Sequence, residues 1–329
     1  MMTKFFLRLC SLIPAAIAAG TVAPSAAGQL LVNESFLYAN GTPVRDQAGG
    51  IGFSWPWLEV GIDLDTVRDL GLSYPNLGTA GHCLHSRAPI QYYTDVSRSL
   101  GTPISGATGT VLWVSFLLRK DTEGSIPPPG NYLGLALYPT DQSNSALYIG
   151  DTGESDFYSI AIAGSAEGQV ASNVPSVVSP NATLLLVRIM YQDGPDVIDL
   201  FVNPNLAAGE PMVASATKND FDLTEVNLIG LLAGNDTNWV VDEIRLGNSF
   251  ADVTPRPVVL TAIDHASVQP LIVQGAGASG TTYTLQVTDE LVQPFAPLTS
   301  APADVNGDVT FEDPAAPGLP KRFYRIVFP

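Results

Sequence analysis

The feature that most constrains this chain is its period. Short runs of Val, Ile, Leu, Tyr and Phe recur along it, each bounded by Gly, Pro, Asn or Asp. Side chains of a strand alternate between two faces, so runs of this length and spacing suit the strands of an all-β sandwich or barrel. Strands are expected over 29–38, 111–118, 132–138, 146–149, 157–163, 182–191, 197–202, 225–233 and 239–246. In 113–118, Trp113, Ser115 and Leu117 share one face, and Val114, Phe116 and Leu118 share the other. The run 184–189 is apolar except at Arg188, which suits a central strand covered on both faces. Gln192-Asp193-Gly194-Pro195-Asp196 is a turn, so 182–202 reads as one hairpin.

Residues 39–110 are rich in Gly, Pro, Ser and Asp, so short strands and long connections are expected there. Asp252-Val253-Thr254-Pro255-Arg256-Pro257 marks a linker. Beyond it, 258–263, 271–274, 283–288, 308–311 and 323–328 suit a second, small β domain. The plan is a leader over 1–27, a large β domain over 28–254 and the small domain over 255–329.

Lys4 and Arg8 precede an apolar run from Leu9 to Val22, and Ser25 and Ala27 supply the small residues a signal peptidase requires. Export with cleavage after Ala27 is expected, placing the protein outside the cell, on its surface or in the periplasm. A membrane anchor is the alternative, but Pro14 and Gly20 interrupt the run, and a spanning helix needs ~20 apolar residues. Cleavage leaves Cys83 as the one cysteine, so no internal disulfide forms and a buried thiol is expected. The formal net charge of -17 becomes -19 without Lys4 and Arg8. Such a surface repels nucleic acid and anionic lipid and suits a neutral sugar or a divalent cation.

Asn33-Glu34-Ser35-Phe36-Leu37-Tyr38, Gly49-Gly50-Ile51-Gly52-Phe53-Ser54, Leu72-Ser73-Tyr74-Pro75, 109–116 and Val241-Asp242-Glu243-Ile244-Arg245-Leu246-Gly247 together resemble secreted bacterial proteins with a laminin-G-like, concanavalin-A-like jelly-roll domain. The resemblance spans roughly 29–255. It implies a jelly-roll β-sandwich, a fold shared by lectins, adhesion modules and glycosidases, so it leaves the role open. Residues 283–289 and 322–326 resemble the small C-terminal modules of such proteins, with an immunoglobulin- or fibronectin-III-like look.

Glycosidases of the fold group carry Glu-x-Asp-x-x-Glu on one strand, and the chemistry needs carboxylates ~5–9.5 Å apart. No such pattern stands here. Asp242 and Glu243 are adjacent, and on a regular strand they point to opposite faces, whereas Glu243 and Arg245 share a face and suit a structural ion pair. His82, Cys83 and His85 have zinc-ligand chemistry but read as an ordinary loop. Asp304-Val305-Asn306-Gly307-Asp308 lacks the later ligands of a calcium loop and reads as an Asn-Gly turn between Ala303 and Phe311. Calcium elsewhere would draw on Asp151, Glu154 and Asp156 or on Asp236, which sit in acidic loops. Sugar rings stack on aromatic faces, and Trp55, Trp57, Tyr74, Tyr92 and Tyr93 are the candidates, against core packing for the two tryptophans. Trp113 and Trp239 are expected in the core. The expected role is binding or adhesion toward a glycan or other surface component, with a polysaccharide-degrading enzyme and a structural envelope protein as rivals.

Overall fold

The computed structural model describes residues 28–61, 65–87, 93–122, 132–139, 146–153, 155–162, 165–234, 238–257, 259–264, 270–277, 282–304, 308–319 and 321–327. The large domain contains β1 (Leu30–Glu34), β2 (Leu58–Gly61), β3 (Thr66–Arg68), β4 (Cys83–Arg87), β5 (Tyr93–Ser105), β6 (Val111–Thr122), β7 (Tyr132–Tyr138), β8 (Leu147–Asp151), β9 (Phe157–Ile162), β10 (Ser165–Pro175), β11 (Thr183–Gln192), β12 (Gly194–Val202), β13 (Ala216–Phe221), β14 (Glu225–Gly234) and β15 (Asn238–Gly247). Eight strands form one antiparallel sheet in the order β13-β12-β11-β6-β15-β4-β3, with β1 also on β15. Seven form the other, β10-β9-β8-β7-β14-β5-β2. Many spatial neighbours are distant in sequence, and the two antiparallel sheets face each other across one core as a β-sandwich, the fold class expected from the sequence.

The alternation read from the sequence explains the packing. Leu112, Val114, Phe116 and Leu118 of β6 point inward with Leu185, Val187 and Ile189 of β11. They join one core with Leu133, Leu135 and Leu137 of β7 and Ile229 and Leu231 of β14. Each fully buried Leu, Ile or Val contributes ~1.5–3 kcal/mol, so this layer supplies most of the stability. β11 lies between β6 and β12, the central placement its apolar run requires, and β11 and β12 form the expected hairpin. Trp239 sits in this core, whereas Trp113 packs on the outer side against Phe201 and Phe250.

Polar groups also tie the two sheets together. Arg98 on β5 reaches Glu34 on β1 at 2.7 Å, with both side chains buried. Lys120 on β6 meets Asp151 on β8 at 3.6 Å. Lys218 on β13 donates to the Gly168 carbonyl on β10.

β5 departs from expectation: thirteen residues in a segment expected to be broken into short pieces. The inward side of its alternation carries Arg98 between Val96 and Leu100, and the outward side is polar at Asp95, Ser97 and Ser99, which hides the strand from a hydrophobic reading. A second departure is in β15. Asp242 pairs with Leu117 and Arg245 with Ser115, so Glu243 and Ile244 oppose the single residue Phe116. Glu243 adopts φ 55°, and this bulge sends its carboxylate outward beside that of Asp242, correcting the expectation of opposite faces.

The small domain has β16 (Val259–Asp264), β17 (Leu271–Ala276), β18 (Thr282–Thr288), β19 (Ala296–Pro302), β20 (Asp308–Asp313) and β21 (Phe323–Val327). They form two three-stranded sheets, β16-β17-β20 and β19-β18-β21, around Leu271, Val273, Tyr283, Leu285, Val309 and Phe311. The expected turn at Asn306-Gly307 lies outside the described residues. The strands on either side of it, β19 and β20, belong to different sheets, and the Asp304 N–H donates to the Asp308 carbonyl at 2.8 Å.

Candidate functional site

The residues proposed from sequence do not assemble into one groove. Trp57 is 0% exposed; its Nε1 donates to Glu34 at 3.1 Å and its ring stacks on Phe36 at 6.0 Å. A ring in that position has no face for a sugar, which corrects the stacking role and fits the core alternative. Trp55 is 67% exposed, and its carbonyl accepts from Arg98 Nε. Tyr74 is half-buried on the outside of the eight-stranded sheet, packs with Leu72, Leu77 and Leu206, and donates to the Pro204 carbonyl at 2.8 Å. Tyr92 lies outside the described residues. Tyr93 opens β5 opposite Gly234.

The acidic candidates are likewise dispersed. Asp151 is buried, accepts from the Ser176 hydroxyl at 2.7 Å and from the Gly153 N–H at 3.1 Å, and pairs with Lys120. An ammonium group so close opposes a divalent cation, so the structure gives Asp151 a structural role in place of the calcium role read from sequence. Asp156 is exposed, while Glu154 and Asp236 lie outside the described residues. Among the described residues no group of three or more His, Cys, Asp or Glu is placed to hold a metal ion. His82 Nδ1 is 2.8 Å from the Tyr38 carbonyl, and His85 is half-buried on β4. The Cys83 thiol is buried and donates to the Leu70 carbonyl; burial pushes its pKa up to about 12, which makes it an unreactive thiol.

The two outer faces of the sandwich differ. Over the eight-stranded sheet, residues 69–82 form a cover pinned by buried carboxylates. Asp242 accepts from the Leu72 N–H at 2.8 Å, and Glu243 accepts from the Ala80 N–H and the Ser35 hydroxyl and pairs with Arg245. Burial, then the neighbouring Glu243, holds the Asp242 carboxyl well above the usual range. These groups are sealed from solvent and positioned to hold a loop, not to meet a substrate.

The outer face of the seven-stranded sheet carries tyrosines seated on glycines. Tyr138 and Tyr148 cluster with Ala136 and Ala146, and the half-buried Tyr132, Leu228 and Leu232 pack against them. The Tyr148 ring fills the space over Gly134, where a β-carbon would come within 2.8 Å of it. Tyr138 leans over Gly230 at 3.0 Å in the same sense, and the Tyr132 ring occupies the place of a Gly234 side chain. Gly134 and Gly230 lie mid-strand, where glycine weakens a sheet unless a neighbouring ring covers it, and Gly234 ends β14. Asp95 and the Tyr138 hydroxyl both lie 3.7 Å from the point a Gly230 β-carbon would occupy. Burial pushes the Asp95 carboxyl up to about 6 and, with Asp95 beside it, the Tyr138 hydroxyl up to about 12. Sequence reasoning missed this site because ring and seat come from different strands: Tyr148 is on β8 and Gly134 on β7.

No family model matches the chain, and no curated relative matches it in sequence. Among solved structures it is similar to an endo-1,3-β-glucanase from Streptomyces sioyaensis, at 12% identity and TM-score 0.42, over 68% of this chain and 98% of that one. It is also similar to the globular domain of T. cruzi calreticulin, at 12% identity and TM-score 0.39, over 68% and 90%. A third is the lectin UEA-II complexed with galactose, at 14% identity and TM-score 0.33, over 59% and 93%. At these identities and TM-scores the likeness assigns no role, and the β-sandwich described above rests on the strand pairing of this chain.

Proposed function

We propose that the chain is an exported glycan-binding protein, which meets a neutral polysaccharide or similar surface component through the outer face of the seven-stranded sheet. The observation that carries this reading is the half-buried Tyr132 ring fixed over Gly234, on the face that bears Asp95, with the buried Tyr138 and Tyr148 packed on Gly230 and Gly134 as its support. The Tyr132 ring supplies the apolar contact a pyranose needs, and a carboxyl group on the same face accepts from or donates to its hydroxyls. The acidic surface favours a neutral partner. The apolar run over 9–22 supports export, and the sheets β16-β17-β20 and β19-β18-β21 support an immunoglobulin- or fibronectin-III-like spacer.

Binding is favoured over hydrolysis by the spacing of the acids. Among the described residues, the outward positions of β5, β7, β8 and β9 carry one carboxylate, Asp95. Glu225, at the far end of β14 from the partner of Asp95, is about 20 Å along the strand, well beyond the ~5–9.5 Å that two-acid hydrolysis requires.

The test is a glycan array with purified protein, with and without calcium, alongside Tyr132→Ala and Trp55→Ala. Tyr132→Ala is expected to weaken binding about tenfold, and Trp55→Ala to leave it unchanged. Binding lost in Trp55→Ala but retained in Tyr132→Ala would move the site to the exposed tryptophan. Release of reducing sugar would replace binding by catalysis.

A further inference from the structure

A second opening lies at one corner of the sandwich, away from the tyrosine face. Residues 49–54 stitch the edge of β1 to the edge of β5: Ile51 bridges Asn33, and the Gly101 N–H donates to the Gly52 carbonyl at 2.7 Å. Past this stitch the sheets part. On β5 the four residues Leu100–Pro103 stand against the single residue Asn227 of β14, so β5 bows out of its ladder. The result is a cleft of about 770 Å³ between Leu30–Val32 of β1 and Gly101–Ser105 of β5, floored by Val111, Leu112 and Tyr191.

Two properties of this cleft point to a ligand. Its lining contains no Asp, Glu, Lys, Arg or His; Leu, Ile, Val and Pro side chains dominate, with Thr, Ser, Asn and Gln at intervals. Tyr191 is 3% exposed, and its hydroxyl has no hydrogen-bond partner among the described residues. The position is held on both sides. Tyr191 N–H donates to the Thr110 carbonyl, its own carbonyl accepts from Gly109 N–H, and its ring lies where a Gly106 β-carbon would come within 2.6 Å. Buried hydroxyls are almost always partnered, because the group loses its bonds to water on folding. Burial, then the charge of Asp196, raises the Tyr191 pKa far above its ordinary value, so the group stays a neutral donor.

We propose that this cleft binds an uncharged small molecule with an apolar body and one hydroxyl or carbonyl oxygen, which accepts a hydrogen bond from Tyr191. The apolar walls take the body, and the uncharged lining discriminates against ions, which would lose hydration without a counter-charge. The site is separate from the tyrosine face, so it stands or falls independently of glycan binding.

The experiment titrates full-length protein with 1-octanol and with octanoate by calorimetry, using wild type, Tyr191→Phe and Thr102→Trp. Tyr191→Phe keeps the ring and deletes the unpaired oxygen, and Thr102→Trp places bulk at the exposed mouth. Octanol is expected to bind at least about tenfold more tightly than octanoate. Tyr191→Phe is expected to weaken octanol about fivefold while leaving the melting temperature unchanged or higher, and Thr102→Trp to abolish binding. Absence of octanol binding, equal binding of both probes, or unchanged binding in the two variants would overturn the proposal. So would a lower melting temperature in Tyr191→Phe, because the hydroxyl would then have a structural partner.

Discussion

The two outer faces of the large domain solve the same problem in opposite ways. Each sheet must finish the side that does not face the core. On the eight-stranded sheet, residues 69–82 and the short helix Phe250–Val253 are laid over it, and the polar groups beneath bond with the cover through Asp242, Glu243 and Ser115. On the seven-stranded sheet, side chains of the sheet do the finishing, with tyrosines spread over glycines on adjoining strands. The first arrangement places carboxylates where backbone donors answer them. The second seats Asp95 in a half-buried position on the tyrosine face, where burial pushes its carboxyl up to about 6.

The contrast can be broken most forcefully at Glu243. Glu243→Ala removes the carboxylate partner of the fully buried Arg245 and a bond to the cover, and is expected to cost ~3–5 kcal/mol in urea unfolding. Glycan binding by the fraction that remains folded should be unchanged. A loss of binding at full folding would show that the two faces communicate. Next comes Gly134→Ala, whose new β-carbon collides with the Ile149 carbonyl and the Tyr148 ring. It is expected to cost ~1–3 kcal/mol and to alter the near-ultraviolet tyrosine dichroism, joining stability to site geometry in a way Glu243 does not.

The smallest effect sharpens the electrostatic side. The Asp95 carboxyl titrates at about 6 when folded, against an ordinary 3.8. Between those values the folded state holds a proton that the unfolded chain has released. The stabilisation from this group is therefore complete below about pH 4 and is lost as pH rises through about 6. Asp95→Asn should flatten stability across that window and raise it by about 1 kcal/mol at pH 7, the figure being discounted for the solvent contact of a half-buried group. Urea midpoints measured from pH 4 to 7 check this, and an unchanged slope would place the titration elsewhere.

What the sequence disclosed, and what it hid, follows from the range of the forces. The alternation at 113–118 and the apolar run at 184–189 are local, and both strands lie where those patterns send them. The bulge at Glu243 was hidden because one residue in the left-handed region reverses the facing of everything after it, and no residue type at 242–245 announces that conformation. Trp57 looked available because it adjoins Trp55 in a glycine-rich stretch. Its burial depends on Glu34, whose carboxylate also binds Arg98 and the Tyr38 hydroxyl. The tyrosine face was illegible for a similar reason: glycines inside strands read as weak points until the rings above them are known.

The glycine seats have a thermodynamic consequence. A tyrosine pressed onto a bare backbone gave up its torsional freedom when the chain folded, so a ligand arriving at Tyr132 finds a ring with little left to freeze. Association then loses less entropy than it would against a mobile surface aromatic, and a modest contact area can hold its partner for longer.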